Sequence, residues 1–216
     1  LAIASILVRV MGMIYRIPMT AIIGDKGNGF YSYAYSVYTI LLLLSSYSLP
    51  LAVSKMVSAK AQLGQWRNVK RVFICAIAFA IGIGTTFGLI VLIGAQFFTR
   101  VFFHSELAAI ALRFMAPTIL IMALLGVFRG FFQGLQNTLP TAVSQIVEGL
   151  INAIMSVVFA YFLFDFGHGM DAAGGTTDLG YAWGAAGGAI GTGAGALAGL
   201  IFCFILFVAY RKILAV

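Results

Sequence analysis

Two arginines stand inside the first apolar stretch of the chain, where a charge is costly. Arg9 and Arg16 are seven residues apart, with Gly12 between them. Seven residues make close to two turns of an α-helix, so both guanidinium groups point to one face, about 10 Å apart along its axis. Charges at this depth face a cavity or a partner, and guanidinium groups bind phosphate or carboxylate bidentately. The spacing favours a basic stripe on a water-filled cavity; in the alternative, Arg16 snorkels to the outer headgroups and Arg9 pairs with an acid.

Glu148 is the one acid in the middle of an apolar stretch. It follows Pro140 by eight residues, about 12 Å along a helix, which places it towards the cytoplasmic half of the membrane. Four roles are open to a carboxylate at this depth: a counter-charge to Arg9, a group that couples transport to protons, a ligand for a cation, or a member of a structural ion pair.

Further polar residues lie near the predicted inner ends of helices. Lys55 either extends the basic lining or anchors its helix at the interface. Arg129 either meets lipid headgroups or contributes to an inner gate. The segment 133–141 includes Gln133 and Asn137, and its amide and hydroxyl side chains cannot face lipid. It is therefore predicted to be a tight cytoplasmic turn and a candidate part of a gate.

Glycines recur at intervals of four residues in the last apolar stretch. One row consists of Gly187, Gly191, Gly195 and Gly199, and a second of Gly180, Gly184 and Gly188. Such rows allow two helix backbones to approach closely within a membrane. They also weaken a helix, so bending during a transport cycle is a second hypothesis.

The composition excludes a soluble protein. Of the 216 residues, 62% are hydrophobic and 9% are charged, whereas a soluble domain is roughly half apolar and about a quarter charged. Disorder, collagen and a disulfide-rich secreted module are excluded by the same numbers. The net charge of +7 comes from basic residues at the ends of apolar stretches, so nucleic acid is not an expected partner. Cys75 and Cys203 fall inside apolar stretches and suit packing.

The length suits an all-α, polytopic membrane protein with six spanning helices of about 20 apolar residues or more. The predicted helices cover residues 1–23, 27–54, 71–100, 112–133, 140–164 and a last stretch that ends at Arg211. Turn-rich or charged segments separate them, at 24–29, 55–71, 134–139 and 165–180, and a short loop with Arg100, His104 and Glu106 separates the third from the fourth. The segment 62–71 is either part of the basic loop or a short stretch on the inner membrane surface.

Basic residues are distributed unequally between the two sides. Eight flank one side, namely Lys55, Lys60, Arg67, Lys70, Arg71, Arg129, Arg211 and Lys212. Three flank the other side, namely Lys26, Arg100 and Arg113. Because cytoplasmic loops carry the excess of lysine and arginine, the first side is expected in the cytoplasm, and six spans place both ends of the segment there.

No sequence motif indicates an enzyme. The chain lacks HExxH, CxxC and GxxxxGK[ST], and His104 and His168 fall in predicted outer loops without acids or cysteines at ligand spacing. We therefore expect no catalysis, no metal and no cofactor. Work done by such a protein would come from an ion gradient, the membrane potential or the gradient of the substrate itself.

Two segments resemble a known family of transporters. Residues 9–18, RVMGMIYRIP, with Ile23-Gly24-Asp25 and Gly29-Phe30-Tyr31 after them, resemble the first helix and turn of the polysaccharide-biosynthesis flippases. Residues 128–142, FRGFFQGLQNTLPTA, are similar to the junction between the fourth and fifth helices of that group. Within it the chain resembles the stage V sporulation protein B-like branch, related to the lipid II flippases, in the multidrug/oligosaccharidyl-lipid/polysaccharide exporter superfamily.

The resemblance implies two six-helix lobes around a central cavity and transport by alternating access. Residues 1–216 would form the N-terminal lobe, beginning part-way into its first helix, and a C-terminal lobe of the same chain would be its partner. The implied substrate is an undecaprenyl-diphosphate-linked glycan precursor, moved across a bacterial inner membrane among membrane lipids. By motif position Arg9, Arg16 and Lys55 would engage the diphosphate.

Two rival functions remain open. One is a cation-coupled multidrug exporter of the same superfamily, although paired arginines repel cationic drugs. The other is a scaffold that gathers cell-envelope enzymes without transporting anything.

Overall fold

The chain folds as a bundle of long helices. The computed structural model describes residues 2–45, 48–174 and 178–214, and the regular structure in these ranges is all helical. The helices are α1 (Ala2–Ser45), α2 (Leu49–Gln62), α3 (Trp66–Phe103), α4 (Ala108–Gly134), α5 (Leu139–Gly174) and α6 (Leu179–Leu214).

The first helix is folded back on itself at Gly24, whose backbone has φ 63° and ψ −177°. Met19 and Tyr31 both lie against Gly188 of α6, whereas a straight helix would hold them about 18 Å apart. The chain therefore reverses at Gly24, and we call residues 2–23 the first arm and residues 25–45 the second arm. Glycine suits this point because other residues avoid such a backbone conformation.

Five helical segments among the described residues are long and apolar enough to cross a membrane, so the prediction of six separate spans is wrong in number. The first lies within Ala4–Gln62 and takes in α1 and α2, so the first two predicted helices are not counted separately, because helical structure resumes directly after Gly24. The other four are Trp66–Phe103, Ala108–Gly134, Leu139–Ala172 and Leu179–Tyr210.

The predicted basic loop 55–71 is largely helical. Lys55 and Lys60 belong to α2, and only residues 63–65 separate that helix from α3. Trp66 begins α3, so it does not lie in a separate stretch on the membrane surface. Lysine and arginine are good helix formers, which is why a cluster of them ends an apolar stretch without ending the helix.

The turn between the fourth and fifth helices is confirmed, since α4 ends at Gly134 and α5 begins at Leu139. The next boundary differs from the prediction, because α5 continues ten residues beyond Phe164. His168 consequently lies in a helix rather than a loop, with its ring 4.5 Å from that of Phe164. Residues 175–177 of the predicted loop 165–180 lie outside the described residues.

The first glycine row of α6 packs along α5. A Cβ atom at Gly187 would meet the backbone of Phe159 and Ala160, and one at Gly191 would meet Ser156. Farther along, Gly195 faces Asn152, and Gly199 faces Ser144 and Glu148. Each successive glycine, four residues later on α6, thus contacts a position about four residues earlier on α5. This antiparallel contact fixes the heights at which the polar side chains of α5 lie.

Apolar side chains fill the bundle and also cover its outside. Cys203 is buried in a cluster with Phe73, Phe128 and Phe132, whereas Cys75 is exposed. Large exposed side chains include Ile93 at 80% and Ile17 at 73%. Such a surface suits contact with lipid tails.

Candidate functional site

The first arm carries a polar stripe beside its buried face. The buried face packs through Val8 and Met11 against Gly149 of α5, and through Met19 against α6. A different face of the same helix holds the polar stripe, which consists of Ser5, Arg9, Gly12, Arg16 and Thr20. The stripe follows from residue spacing alone, because its members recur every three or four positions along one continuous helix.

Both arginines of the polar stripe are exposed. Among the residues that the structure describes, neither has a carboxylate within 4.0 Å. Gly12 opens space between them, since a Cβ atom placed there would meet nothing within 4 Å. A shallow groove lined by Arg16, Ile17, Thr20 and Ala21 continues the stripe. The arrangement therefore offers two guanidinium groups and room for an anion to approach them.

Glu148 pairs with Arg129 of α4, not with Arg9. The Nη2 atom of Arg129 donates to Oε2 of Glu148 at 2.7 Å, and its Nε donates to Oγ of Ser144 at 2.9 Å. The two charged side chains are 12% and 24% exposed, respectively, so the pair is largely shielded from solvent. Glu148, which the sequence suggested as a counter-charge to Arg9, therefore neutralises Arg129 instead.

The short turn between α4 and α5 explains this pairing. Arg129 lies five residues before the end of α4, and Glu148 lies nine residues after the start of α5. Antiparallel neighbours joined by a tight turn bring such positions to similar heights, within reach of a long arginine side chain. The spacing across the turn was therefore the signal that could have identified the partner from sequence.

Side-chain hydrogen bonds hold the turn between α4 and α5 in place. Asn137 donates through Nδ2 to the hydroxyl of Tyr210 on α6 at 2.7 Å, and its Oδ1 accepts from the backbone N–H of Leu139 at 3.2 Å. Ser144, which accepts from Arg129, donates in turn to the carbonyl oxygen of Thr141 at 2.8 Å. This bond fixes the position of the Ser144 hydroxyl. The turn is therefore bonded to the end of α6, and a separate set of hydrogen bonds holds the ion pair beside it.

A chamber of about 270 Å³ adjoins the ion pair. The residues around it come from the second arm, α2, α4 and α5, namely Leu42, Pro50, Met122, Gly126, Arg129, Gln133, Thr141 and Gln145. The Oε1 atom of Gln145 is buried and has no hydrogen-bond partner among the described residues. Gln145 was not singled out from the sequence, although it lies one helical turn before Glu148.

Lys55 is exposed and belongs to a helix that does not pack on the polar stripe in the described residues. The face of α2 that packs on α4 carries Pro50, Val53 and Val57, which meet Gly130 and Gly134. Lys55 lies on the other side of this helix. Within the described ranges α2 packs on α3 and α4 and not on α1, so Lys55 and the arginines are not brought together.

Comparison with known proteins gives a family match over nearly the whole chain. The family described as "Polysaccharide biosynthesis protein" matches residues 1–214. Stage V sporulation protein B of Bacillus subtilis (strain 168) is 26% identical over 97% of this chain and 38% of its own length. Lipid II flippase MurJ of the same organism is 27% identical over 71% of this chain and 30% of its own length. The chain thus spans about a third of these curated relatives, and no solved structure matches it.

Proposed function

Since the chain belongs to the polysaccharide biosynthesis protein family, we propose that it forms the first lobe of a flippase for a lipid-linked glycan precursor. The observation that carries this proposal is the exposure of Arg9 and Arg16 on one polar stripe, without carboxylate partners among the described residues. Two free guanidinium groups on one helix suit a diphosphate, which presents several acceptor oxygens. One relative is named as a lipid II flippase, which supports the same class of substrate.

The first arm also offers a separate surface for the lipid tail. Its exposed apolar side chains Ile6, Met13 and Ile17 lie on the side of the helix next to the polar stripe. In our mechanism the diphosphate lies on the arginines while the tail stays in the bilayer beside these apolar residues. The arm thereby separates the charged and apolar halves of one substrate.

Movement across the membrane requires a second group of helices. We place it in a C-terminal lobe, which together with this chain encloses the cavity and opens it to each side in turn. The side rich in basic residues faces the cytoplasm, where Lys55 contributes to an electropositive inner surface. The ion pair of Arg129 and Glu148 belongs to the inner gate, and Gln133 and Asn137 lie in the same region.

Flipping of a fluorescent undecaprenyl-diphosphate sugar in proteoliposomes tests this function. The complete protein is compared with the double variant Arg9→Gln/Arg16→Gln. A matched control removes two exposed arginines at the start of α3, as Arg67→Gln/Arg71→Gln. We expect the first variant to lose flipping and the control to retain it, with both still folded in the membrane. Flipping at the unaltered rate by the Arg9/Arg16 variant would overturn the proposal.

A further inference from the structure

The chamber beside the ion pair lies where two elements diverge. The second arm of α1 ends at Ser45 and α2 begins at Leu49, yet in the described residues these two helices do not pack on each other. Leu42 and Pro50, from opposite sides of this gap, form part of the chamber wall. The space between them is therefore built into the way the helices are arranged.

The chamber presents unused hydrogen-bonding groups. The carbonyl oxygen of Gln145 is buried without a donor among the described residues, and the amide of Gln133 lines the same chamber. Arg129 has five N–H donors, of which Nε and one on Nη2 are engaged. A buried acceptor without a partner is rare and unfavourable, so Oε1 of Gln145 is available to a donor from a molecule that enters the chamber.

The charge of the chamber argues against an anion as its occupant. Arg129 is the charged residue that lines it, and the carboxylate of Glu148 lies 2.7 Å from that guanidinium. The pair is neutral as a whole, in contrast to the unpaired arginines of the polar stripe. An uncharged group with both donors and acceptors fits these walls better than a phosphate does.

We propose that this chamber receives an uncharged sugar of the translocated headgroup. A sugar hydroxyl or amide N–H donates to Oε1 of Gln145, and sugar oxygens accept from Gln133 and Arg129. The apolar C–H face of the ring packs on Leu42, Pro50 and Met122. The inference rests on the proposed function and adds that two parts of one substrate bind at two places. The diphosphate binds the arginines of the polar stripe, and the sugar binds in the chamber.

Binding measurements with two lipids test this division. The complete protein in nanodiscs is titrated with undecaprenyl diphosphate and with undecaprenyl diphosphate carrying one N-acetylhexosamine. Gln145→Met keeps the length of the side chain and removes the carbonyl oxygen. We expect it to weaken binding of the sugar-bearing lipid about 10-fold, since an unmade buried hydrogen bond has that order of effect. Binding of the bare diphosphate should change less than about 2-fold. The control Gln62→Leu, at an exposed position of α2, should change neither.

Thermal unfolding separates ligand binding from a structural role. Without lipid, Gln145→Met should unfold at the same temperature as the unaltered protein or higher, because the lost oxygen has no partner in the described structure. With the sugar-bearing lipid, the unaltered protein should gain more stability than the variant.

The outcomes distinguish this inference from the proposed function. If the unaltered protein binds neither lipid, the flippase proposal fails. If it binds both and Gln145→Met leaves the affinity for the sugar-bearing lipid unchanged, the chamber holds water only and the inference is overturned while the flippase proposal survives. Equal weakening for both lipids would also overturn it, because the chamber would then act on the diphosphate.

Discussion

The guanidinium of Arg129 on α4 lies 2.7 Å from the carboxylate of Glu148 on α5, and the Nε atom of the same arginine donates to Ser144. The pair joins two helices next to the turn that connects them, and both side chains are mostly shielded from solvent. An ion pair in this position stabilises this end of the bundle only while both charges are present, since either charge alone would be left buried and unpaired.

Removing one member of this pair should be more destabilising than removing both. We expect Arg129→Met or Glu148→Gln to lower the free energy of unfolding by about 2–3 kcal/mol, with a coupling of about 1–3 kcal/mol in the double-variant cycle. Unfolding in lipid–detergent micelles measures both quantities. The exposed pair of Arg100 and Glu106, at 3.6 Å, is the matched control, and its coupling should be about 0–1 kcal/mol. Equal coupling energies in the two cycles would show that burial does not strengthen the ion pair of Arg129 and Glu148.

The two arginines of the polar stripe should act on substrate rather than on stability. Arg9→Gln or Arg16→Gln alone should weaken binding of undecaprenyl diphosphate about 10-fold or more, because each removes a charge-assisted hydrogen bond. Arg9→Lys and Arg16→Lys should be less impaired, since lysine keeps the charge and loses the bidentate fork. The unfolding temperature should not change, because both side chains are exposed. Unaltered affinity in all four variants would refute this assignment.

A methyl group added at Gly191 should disrupt the contact between α5 and α6. Its Cβ atom would meet the backbone and side chain of Ser156, so the helices must separate. We expect Gly191→Ala to be destabilising by about 1–3 kcal/mol, as is usual for overpacking. Gly82→Ala on α3 is the control, because a Cβ atom there meets nothing within 4 Å. Comparable unfolding of the two variants would show that the close approach is not tight.

Gly24 should be sensitive for a different reason, namely its backbone conformation. A Cβ atom there would lie 3.5 Å from the Tyr181 ring, an ordinary contact, but φ 63° and ψ −177° are almost confined to glycine. Gly24→Ala should therefore lower the free energy of unfolding by about 1–3 kcal/mol through strain alone. Gly29→Ala, in open space five residues later, should have little effect. If unfolding experiments show both substitutions to be neutral, the reversal does not depend on glycine.

The sequence was sufficient for features that depend on spacing along one helix. Local periodicity and turn chemistry were enough to predict the helical content and the turn at 134–139. The seven-residue spacing of Arg9 and Arg16 was enough to predict that they share one face of a helix. The partner of Glu148 was missed, although the spacing of Arg129 and Glu148 across the predicted turn offered a signal for it. The unsatisfied oxygen of Gln145 is a property of three-dimensional packing and has no local signature.

Helix boundaries were predicted less well where charge was taken as the end of a helix. The basic residues of 55–71 interrupt the hydropathy but continue the helical structure, so α2 and α3 are longer than the apolar stretches within them. At Gly24 the predicted turn was too long. The sequence predicted a turn over residues 24–29, whereas the chain reverses at Gly24 alone and is helical on both sides of it.

The interlocking of α5 and α6 also has a mechanical consequence. Gly187, Gly191, Gly195 and Gly199 hold α6 against α5 over three successive intervals of four residues. Neither helix can slide along the other without disturbing all four contacts, so the two are expected to move as one unit. Movement within the bundle would therefore fall on its other helix contacts, and α1 and α2, which both line the chamber, do not pack on each other in the described residues.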